Sequence, residues 1–297
     1  MKFISFLQRE AVGLAVQGAD GRFRGLLESD SAYPGGLDAL IRMGPEALAR
    51  AAAILSKGAA VDLGQVRFLP PLIQSSKIIC IGLNYADHIS ESGIKAPDYP
   101  TVFGRFASSL IGHGAPIVRP RVSAQLDYEG ELVAVIGKTG RHIHKEDALS
   151  HVAGYALFND GSIRDYQFKS PQWTVGKNFD GTGAFGPEFI TADELPLGAK
   201  GLMLRTRLNG AVVQEASIDD MIFDVATLVA TLSEAFTLEA GDIIVTGTPS
   251  GVGLARKPPL WMKPGDLCEV EVDGFMTLSN PIEDEAPSDT GASQRAA

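Results

Sequence analysis

The stretch DYEGELVAVI, residues 127–136, bears on both the fold class and the chemistry of this chain. Its acidic residues Asp127, Glu129 and Glu131 alternate, and the period of two in a β-strand puts alternate side chains on one face. The apolar run that follows predicts a strand that enters the core. Like charges aligned at the mouth of a buried strand repel one another unless a cation or protons intervene. The stretch therefore predicts either a metal site or an acidic strand edge that faces water.

Asp160 ends a second apolar run, GYALFND at residues 154–160. A strand that ends on an acidic residue can bring a further carboxylate to the first set. Carboxylate oxygens favour a hard cation. We therefore expect Mg²⁺, with Mn²⁺ or Ca²⁺ as alternatives, rather than zinc.

His88 and Glu91 lie in a polar segment, NYADHISE at residues 84–91. Residues three apart share one face of a helix and can form a hydrogen bond. A carboxylate that orients an imidazole makes it a better general base near neutral pH. The pattern predicts either a catalytic pair or a surface histidine with a helical neighbour.

Hydrogen-bond donors follow Asp160 along the chain. Arg164, Gln167 and Lys177 offer donors for an organic acid or for a developing oxyanion. The loop that begins at Gly247 offers backbone N–H groups and the Thr248 hydroxyl to a carboxylate. Taken alone, each of these side chains is more often solvated at a protein surface.

The rest of the sequence predicts an α+β chain that is rich in strands. Short strands are expected over residues 2–29, and two short helices, split at Gly44-Pro45, over residues 37–57. Asn209-Gly210 and Asp273-Gly274 predict the turns of two hairpins. The expected units are a small N-terminal α+β domain at 1–70, a β-rich catalytic domain at 71–285 and a flexible tail at 286–297.

The composition limits the partners and the compartment. The chain has 297 residues and a net charge of −10 at pH 7, which disfavours nucleic acid and anionic membrane surfaces as partners. No apolar run approaches the roughly 20 residues that span a bilayer, and the first residues do not predict a signal peptide. Cys80 and Cys268 lie in apolar stretches and predict buried thiols. We therefore expect a soluble cytoplasmic protein.

Taken together and in this order, these residues resemble the fumarylacetoacetate hydrolase superfamily, in its acylpyruvate hydrolase and hydroxymuconate isomerase-like branch. The resemblance covers residues 77–282 and is carried by Gly82-Leu83-Asn84-Tyr85, His88, Glu91, Glu129-Gly130-Glu131, Asp160, Arg164, Gln167, Lys177 and Gly247-Thr248-Pro249. It implies a fumarylacetoacetate hydrolase-like catalytic domain, a mixed β-sheet roll, that is usually a homodimer. It also implies that Glu129, Glu131 and Asp160 hold Mg²⁺ or Mn²⁺, whereas Asp127 has no ligand role.

The resemblance implies a divalent-metal-dependent hydrolase that cleaves a carbon–carbon bond in an acylpyruvate, such as a fumarylpyruvate- or fumarylacetoacetate-like acid. The products would be pyruvate and a carboxylic acid, in the breakdown of aromatic or sugar-derived acids. His88, oriented by Glu91, would take a proton from water, and the hydroxide would attack the distal carbonyl. The other expected residues are Arg164, Gln167 and Lys177 for the oxyanion, and Tyr85, Arg105 and Thr248 for the substrate.

Other functions stay open at this point. An oxaloacetate decarboxylase or a 5-carboxymethyl-2-hydroxymuconate isomerase would use the same metal-assisted enolate chemistry. A non-catalytic metal- or carboxylate-binding protein on the same fold is the alternative from another class. Two departures from the family pattern bear on the substrate: Arg105 stands where many relatives have Lys, and the glycine-rich segment at residues 178–186 is long.

Overall fold

The computed structural model describes residues 1–87 and 97–287. His88 and Glu91 lie outside these residues, so their pairing stays a prediction.

In chain order, the strands are β1 (Lys2–Gln8), β2 (Ala11–Gln17), β3 (Phe23–Leu27), β4 (Ala59–Ala60), β5 (Arg67–Phe68), β6 (Ile78–Gly82), β7 (Thr101–Gly104), β8 (Leu110–Ile111), β9 (Ile117–Arg119), β10 (Leu126–Asp127), β11 (Gly130–Ile136), β12 (Val152–Asp160), β13 (Ser162–Ile163), β14 (Gly183–Thr191), β15 (Met203–Leu208), β16 (Ala211–Ser217), β17 (Ile243–Val245), β18 (Leu267–Val272) and β19 (Met276–Asp284). The α-helices are α1 (Leu37–Arg42), α2 (Pro45–Leu55), α3 (Arg164–Gln167), α4 (Thr174–Lys177) and α5 (Val225–Ala235). Single turns of 3₁₀ helix lie at Ala107–Ser109, Ala148–His151, Ala192–Glu194, Leu197–Ala199, Ile218–Asp220 and Gly253–Ala255.

Most strands join one mixed sheet. Its main path runs β4-β3-β2-β1-β14-β12-β11-β17-β6-β7, with β5 on β1 and β8 on β14. The pairs β11–β12 and β12–β14 are antiparallel, whereas β17 runs parallel to β6. Every residue of β11 is buried, as its apolar run predicts. This central strand therefore carries its acidic start into the interior of the protein.

A second, smaller sheet has the order β16-β15-β18-β19-β9. Its two hairpins turn at the predicted positions, and Asn209, Gly210 and Gly274 have the positive φ angles that tight turns require. Alternate residues of β15 are buried, which is the pattern of a strand with one solvated face. Leu204 of this sheet shares a hydrophobic core with Leu132 of the large sheet. The small sheet thus packs its apolar face against the large one.

The first seventy residues extend the large sheet. β1 pairs with β14, and Phe3 lies opposite Phe189. The predicted split between two helices is confirmed, because α1 ends before Gly44 and α2 begins at Pro45, where proline needs no hydrogen-bonded N–H. Leu48 of α2 belongs to the same core as Phe3 and Phe189. The domain boundary at residue 70 stays a prediction, since this segment shares its sheet and core with the rest.

The predicted fold class, α+β and rich in strands, is confirmed. Both cysteines are free and buried, as their apolar surroundings predict. In the part of the chain that the structure describes, no helix has the length and apolar character needed to cross a membrane.

Candidate metal centre and substrate cavity

One end of the large sheet gathers strand ends from distant parts of the chain. At the start of β11, Gly130 lies opposite Asn159 near the end of β12. Val133 of β11 lies opposite Val245, the last residue of β17. Because β6 is parallel to β17, its last residue, Gly82, reaches the same end. Four separate regions of the sequence therefore meet here.

Three buried carboxylates, those of Glu129, Glu131 and Asp160, lie at this end of the sheet. One oxygen atom from each lies within 4.8 Å of the others, and the side chains are nearly inaccessible, at 6%, 1% and 0% exposure. The Asp160 N–H donates to the Glu129 carbonyl at 2.8 Å, which fixes the two main chains side by side. The three predicted metal ligands are therefore brought together by strand pairing.

The electrostatics of the cluster favour a bound cation. Burial raises the pKa of the Glu131 carboxyl well above its usual range, and the charges of Asp160 and Glu129 raise it further. The Gly247 N–H donates a hydrogen bond to Glu131, and Asn159 Oδ1 accepts one from the Glu129 N–H at 3.1 Å. These contacts hold the carboxylates close together although their charges repel one another.

Lys177 and two arginines surround the carboxylates. Lys177 Nζ lies 2.6 Å from Glu129 Oε2 and 2.6 Å from Asp160 Oδ2. Arg164 Nη2 lies 2.6 Å from Glu129 Oε1, and Arg105 contacts Asp160. Burial by itself lowers the pKa of Lys177, but the charges of Asp160 and Glu129 outweigh it, so its pKa is raised. The ammonium group is therefore held in its charged form.

The donor set fits a hard divalent cation. Among the described residues at this end of the sheet, four buried carboxylates face three buried cations. The carboxylates are those of Asp127, Glu129, Glu131 and Asp160, and the cations are Arg105, Arg164 and Lys177. An excess of negative charge and an oxygen-only ligand set suit Mg²⁺ or Mn²⁺. Glu129, Glu131 and Asp160 would hold such an ion.

Asp127 does not share a strand face with the other two acids, so that expectation is corrected. β10 ends at Asp127 and β11 begins at Gly130, and the break between them interrupts the alternation. Asp127 instead accepts hydrogen bonds from Arg164 Nε at 2.8 Å and from the Gly253 N–H at 2.7 Å. It is not in the group of possible metal ligands, in agreement with the family pattern.

A cavity of about 380 Å³ opens beside the carboxylates. Its polar wall consists of Glu129, Arg164, Gln167, Lys177 and Thr248. The remaining lining residues are Gly82 and the apolar Ile81, Leu83, Phe103, Phe168, Trp173, Val252, Leu254 and Ala255. A concave site with a few convergent polar groups and an apolar remainder is typical of small-molecule binding.

Two short helices present the donors of the polar wall. α3 carries Arg164 and Gln167, and α4 ends at Lys177. A Cβ atom on Gly176 would lie 2.3 Å from the Gln167 backbone nitrogen, so glycine is needed for the close approach of the helices. Arg164 Nη1 donates to Gln167 Oε1 at 2.8 Å. The wall is therefore a hydrogen-bonded unit rather than a set of separate side chains.

Aromatic residues form part of the remaining cavity lining. Trp173 and Phe103 pack edge to face, with ring centroids 5.6 Å apart. A Cβ atom on Gly82 would lie 2.3 Å from Trp173 Cζ3. The indole therefore rests directly on the end of β6, and the missing side chain of Gly82 makes that position possible.

The predicted site residues fall into three groups in the structure. The first group lines the cavity or completes the carboxylate cluster: Glu129, Glu131, Asp160, Arg164, Gln167, Lys177 and Thr248. Tyr85 and Arg105 are buried but are not among the described residues that line the cavity. His88 and Glu91 lie outside the described residues. The catalytic roles of all of them stay predictions.

Arg105 is directed at the protein rather than at the cavity. Besides Asp160, it donates to Thr182 Oγ1 at 2.7 Å, to the Gly161 carbonyl at 3.2 Å and to Ser109 Oγ at 3.2 Å. These contacts hold Arg105 beside Asp160, and its role in substrate binding stays a prediction. Tyr85 is likewise enclosed, and its hydroxyl has no hydrogen-bond partner among the described residues.

Gln214 is a residue that the sequence analysis missed. Its Nε2 donates to Thr248 Oγ1 at 2.8 Å and to the Pro249 carbonyl at 2.8 Å, and its Oε1 accepts from the Gly130 N–H at 3.0 Å. It thereby joins β11 to the loop after β17. A glutamine in a hairpin strand gives no local signal of this role, because its partners are distant in sequence.

The chain is similar to proteins of known family. The sequence model described as "Fumarylacetoacetate (FAA) hydrolase C-terminal" matches residues 77–283. The mitochondrial oxaloacetate tautomerase fahd2 of Xenopus laevis is 37% identical over 95% of this chain and 90% of its own length. Oxaloacetate tautomerase YisK of Bacillus subtilis (strain 168) is 45% identical over 74% of each chain. The solved structure of fumarylacetoacetate hydrolase from Exiguobacterium antarcticum has a TM-score of 0.83 and 36% identity, and covers 96% of this chain and 100% of its own.

The prediction of an acylpyruvate hydrolase is wrong in the light of these relatives. The relatives from Xenopus laevis and Bacillus subtilis are named for the tautomerisation of oxaloacetate, not for cleavage of a carbon–carbon bond by water. They agree better with the alternative of enolate chemistry on oxaloacetate. The error has a physical origin, because acylpyruvate hydrolysis, decarboxylation of oxaloacetate and tautomerisation can all use a metal ion to stabilise an enolate, so the motifs expected for them are alike. The family itself is shown by the matched region and by these identities: the chain belongs to the fumarylacetoacetate hydrolase family.

Proposed function

We propose that this protein is a divalent-metal-dependent tautomerase that interconverts the keto and enol forms of oxaloacetate or a closely similar 2-oxo dicarboxylic acid. The observation that carries the proposal is the buried cluster of Glu129, Glu131 and Asp160 beside a cavity whose polar wall holds Arg164 and Lys177. The names of the relatives support the choice of reaction and substrate.

The polar wall suits a small dicarboxylate. Arg164 presents a planar fork that can bind a carboxylate, and Gln167 holds one of its nitrogens in place. Lys177 adds a compact positive charge at the carboxylate cluster. A substrate with two negative charges would therefore find cationic partners without exposure to bulk water, where such contacts are weaker.

The reaction requires a proton to leave the carbon next to the keto group while another reaches the keto oxygen. The C–H electron pair becomes the carbon–carbon double bond, and the carbonyl π electrons become a lone pair on oxygen. A bound divalent ion would supply Lewis-acid stabilisation for this negative charge. Lys177 would donate a hydrogen bond to that oxygen, since it already contacts two of the carboxylates that would hold the ion.

The base that removes the carbon-bound proton is assigned from the sequence. His88, oriented by Glu91, is the proposed base, because an imidazole titrates near neutral pH. A tautomerase needs no attacking water, so this pair would move a proton and not generate hydroxide. Loss of tautomerisation in His88→Ala, with metal binding retained, is the expected result.

We also propose that the protein is a cytoplasmic homodimer, from the family resemblance for the dimer and from the composition for the location. Sedimentation of the purified chain would test the dimer.

A paired assay tests the reaction. The protein is stripped of metal, Mg²⁺ is restored, and the ultraviolet absorbance of enol-oxaloacetate is followed while malate dehydrogenase and NADH report the keto form. A parallel reaction measures pyruvate, and Mg²⁺ without protein gives the background. We expect metal-dependent interconversion that greatly exceeds pyruvate formation. Equal rates of enol loss and pyruvate formation would instead identify a decarboxylase, and no acceleration over the background would refute both.

A further inference from the structure

We propose that Asp127 is a positioning residue that holds both Arg164 and the cavity loop Val252–Ala255 in place through one carboxylate. Arg164 forms part of the polar wall, and the loop forms part of the apolar wall. Asp127 would therefore set the spacing between the two walls that a substrate must bridge. The inference deepens the proposed function and rests on it for the identity of the substrate.

The carboxylate of Asp127 is fully buried, and each of its two oxygen atoms accepts two hydrogen bonds. Its exposure is 0%, and its Oδ1 accepts hydrogen bonds from the N–H groups of Tyr128 at 2.9 Å and Gly253 at 2.7 Å. Its Oδ2 accepts from Arg164 Nε at 2.8 Å and from the Leu254 N–H at 2.9 Å. Four donors converge on two oxygens, so this side chain is an acceptor at every contact.

The first arm of this arrangement orients the Arg164 guanidinium. Its Nε donates a hydrogen bond to Asp127 and its Nη1 donates one to Gln167, while its Nη2 forms an ion pair with Glu129. Hydrogen bonds at Nε and Nη1 together with the ion pair at Nη2 restrict rotation of the planar guanidinium. Asp127 provides the contact at Nε, and without it only the contacts at Nη1 and Nη2 would orient the guanidinium.

The second arm fixes the loop. A Cβ atom on Gly253 would lie 2.6 Å from Asp127 Oδ1 and 1.9 Å from the Leu260 carbonyl oxygen. The backbone can reach the carboxylate only because residue 253 is glycine. The hydrogen bond from the next N–H, that of Leu254, then sets the direction of the loop, and Leu254 lines the cavity.

Asp127→Asn tests the role, because it keeps the shape and replaces one acceptor oxygen with an NH₂ group. That group would face a donor in either orientation of the amide. Asp242→Asn is the matched control: Asp242 is also 0% exposed and also accepts from two backbone N–H groups, those of Lys77 at 3.0 Å and Glu239 at 2.7 Å. It lies at the start of β17, at the opposite end of that strand from the cavity.

The measurements are KM and kcat for tautomerisation, the affinity for oxalate in the presence of Mg²⁺ by calorimetry, and the melting temperature. We expect Asp127→Asn to weaken oxalate binding and raise KM by about 10- to 100-fold, as for a lost hydrogen bond to a charged group. Asp242→Asn should lower the melting temperature and leave both constants unchanged. Equal effects of the two variants on oxalate affinity, or no effect of Asp127→Asn, would overturn the proposal.

Two further variants keep the test decisive. In an Arg164→Lys background, which has already lost the guanidinium fork, Asp127→Asn should weaken oxalate binding only through the loop, so the two effects should be less than additive. If Asp127→Asn does not fold, Gly253→Ala replaces it, and unchanged oxalate affinity in that variant would overturn the loop arm. Oxalate binding does not depend on the reaction, so it decides the role of Asp127 even if the wild-type protein does not act on oxaloacetate.

Discussion

The ammonium nitrogen of Lys177 lies 2.6 Å from a carboxylate oxygen of Glu129, although 48 residues separate the two in sequence. The same nitrogen lies 2.6 Å from Asp160 Oδ2. Lys177 therefore contacts two of the three carboxylates that would hold a divalent ion. Its positive charge balances that of the carboxylates and would also repel a divalent ion bound by them.

Lys177→Met should change metal binding and turnover in opposite directions. We expect the affinity for Mg²⁺ or Mn²⁺ to rise by about tenfold or more, because a neighbouring positive charge is removed from a buried site. Turnover should fall by a factor on the order of 10² to 10³, as when a donor to a developing oxyanion is lost. Calorimetric metal titration and the enol absorbance assay measure the two quantities. Weaker metal binding in this variant would contradict the expectation that the charge of Lys177 opposes binding of the divalent ion.

Glu131→Gln should abolish tight metal binding without loss of the fold. Burial and the nearby charges of Asp160 and Glu129 raise the pKa of Glu131, so its charge is unfavourable unless a cation is present. We expect the Mg²⁺ affinity to fall by about 100-fold or more, while the melting temperature in EDTA stays equal or rises. Glu188→Gln, a change at an acid outside the cluster, is the control for metal affinity. A large fall of the melting temperature in EDTA would show that Glu131 is structural.

Gly82→Ala should displace the aromatic wall of the cavity. The added Cβ would lie 2.3 Å from Trp173 Cζ3, so the indole must shift, and a shift of about 1 Å near a site can cost on the order of 10²-fold in rate. We expect a lower kcat/KM and a changed tryptophan emission. Gly104→Ala is the control on the neighbouring strand, because its nearest atom, the Ile78 carbonyl oxygen, is 3.7 Å away. An equal fall of kcat/KM in both variants would argue against a role of the aromatic wall in the reaction.

Glu188→Gln should stabilise the protein increasingly as the pH rises from about 4.5 to about 7, and by a constant amount at higher pH. Burial raises the pKa of Glu188 from 4.5 to about 7, and its Oε2 has no hydrogen-bond partner among the described residues. Between these two values the folded state binds more protons than the unfolded state, so the free energy of unfolding falls as the pH rises. Above pH 7 the variant should gain at most about 3 kcal/mol. Thermal unfolding at pH 4 and pH 8 checks this, and an equal gain at both would contradict it.

Much of the local architecture follows from the sequence. Asn209-Gly210 and Asp273-Gly274 predict two hairpins, and both form, because glycine and asparagine allow the positive φ angles of tight turns. Gly44-Pro45 predicts the break between α1 and α2 for an equally local reason. The carboxylates of Glu129, Glu131 and Asp160 were predicted as metal ligands from the family resemblance, whereas the pattern of acids by itself left an acidic strand edge open.

The limits of the sequence are visible at Asp127 and Gln214. Asp127 matches the alternation of Glu129 and Glu131, yet a break between β10 and β11 turns it toward Arg164 and Gly253. Gln214 belongs to no sequence pattern that would predict its role, although its side chain joins the start of β11 to Thr248. Both roles depend on partners from other elements.

The sequence by itself determined the fold class, the turns, the family and the residue types of the candidate site. It did not determine the reaction, because tautomerisation, decarboxylation and hydrolysis all need a stabilised enolate and draw on the same motifs. Only the tertiary structure decided that Lys177 contacts Glu129 and Asp160, that Arg105 contacts Asp160, and that aromatic residues line the same cavity as the polar side chains. The physical reason is that backbone preferences act over a few neighbouring residues, whereas contacts between distant residues are set by strand pairing and by the packing of the two sheets.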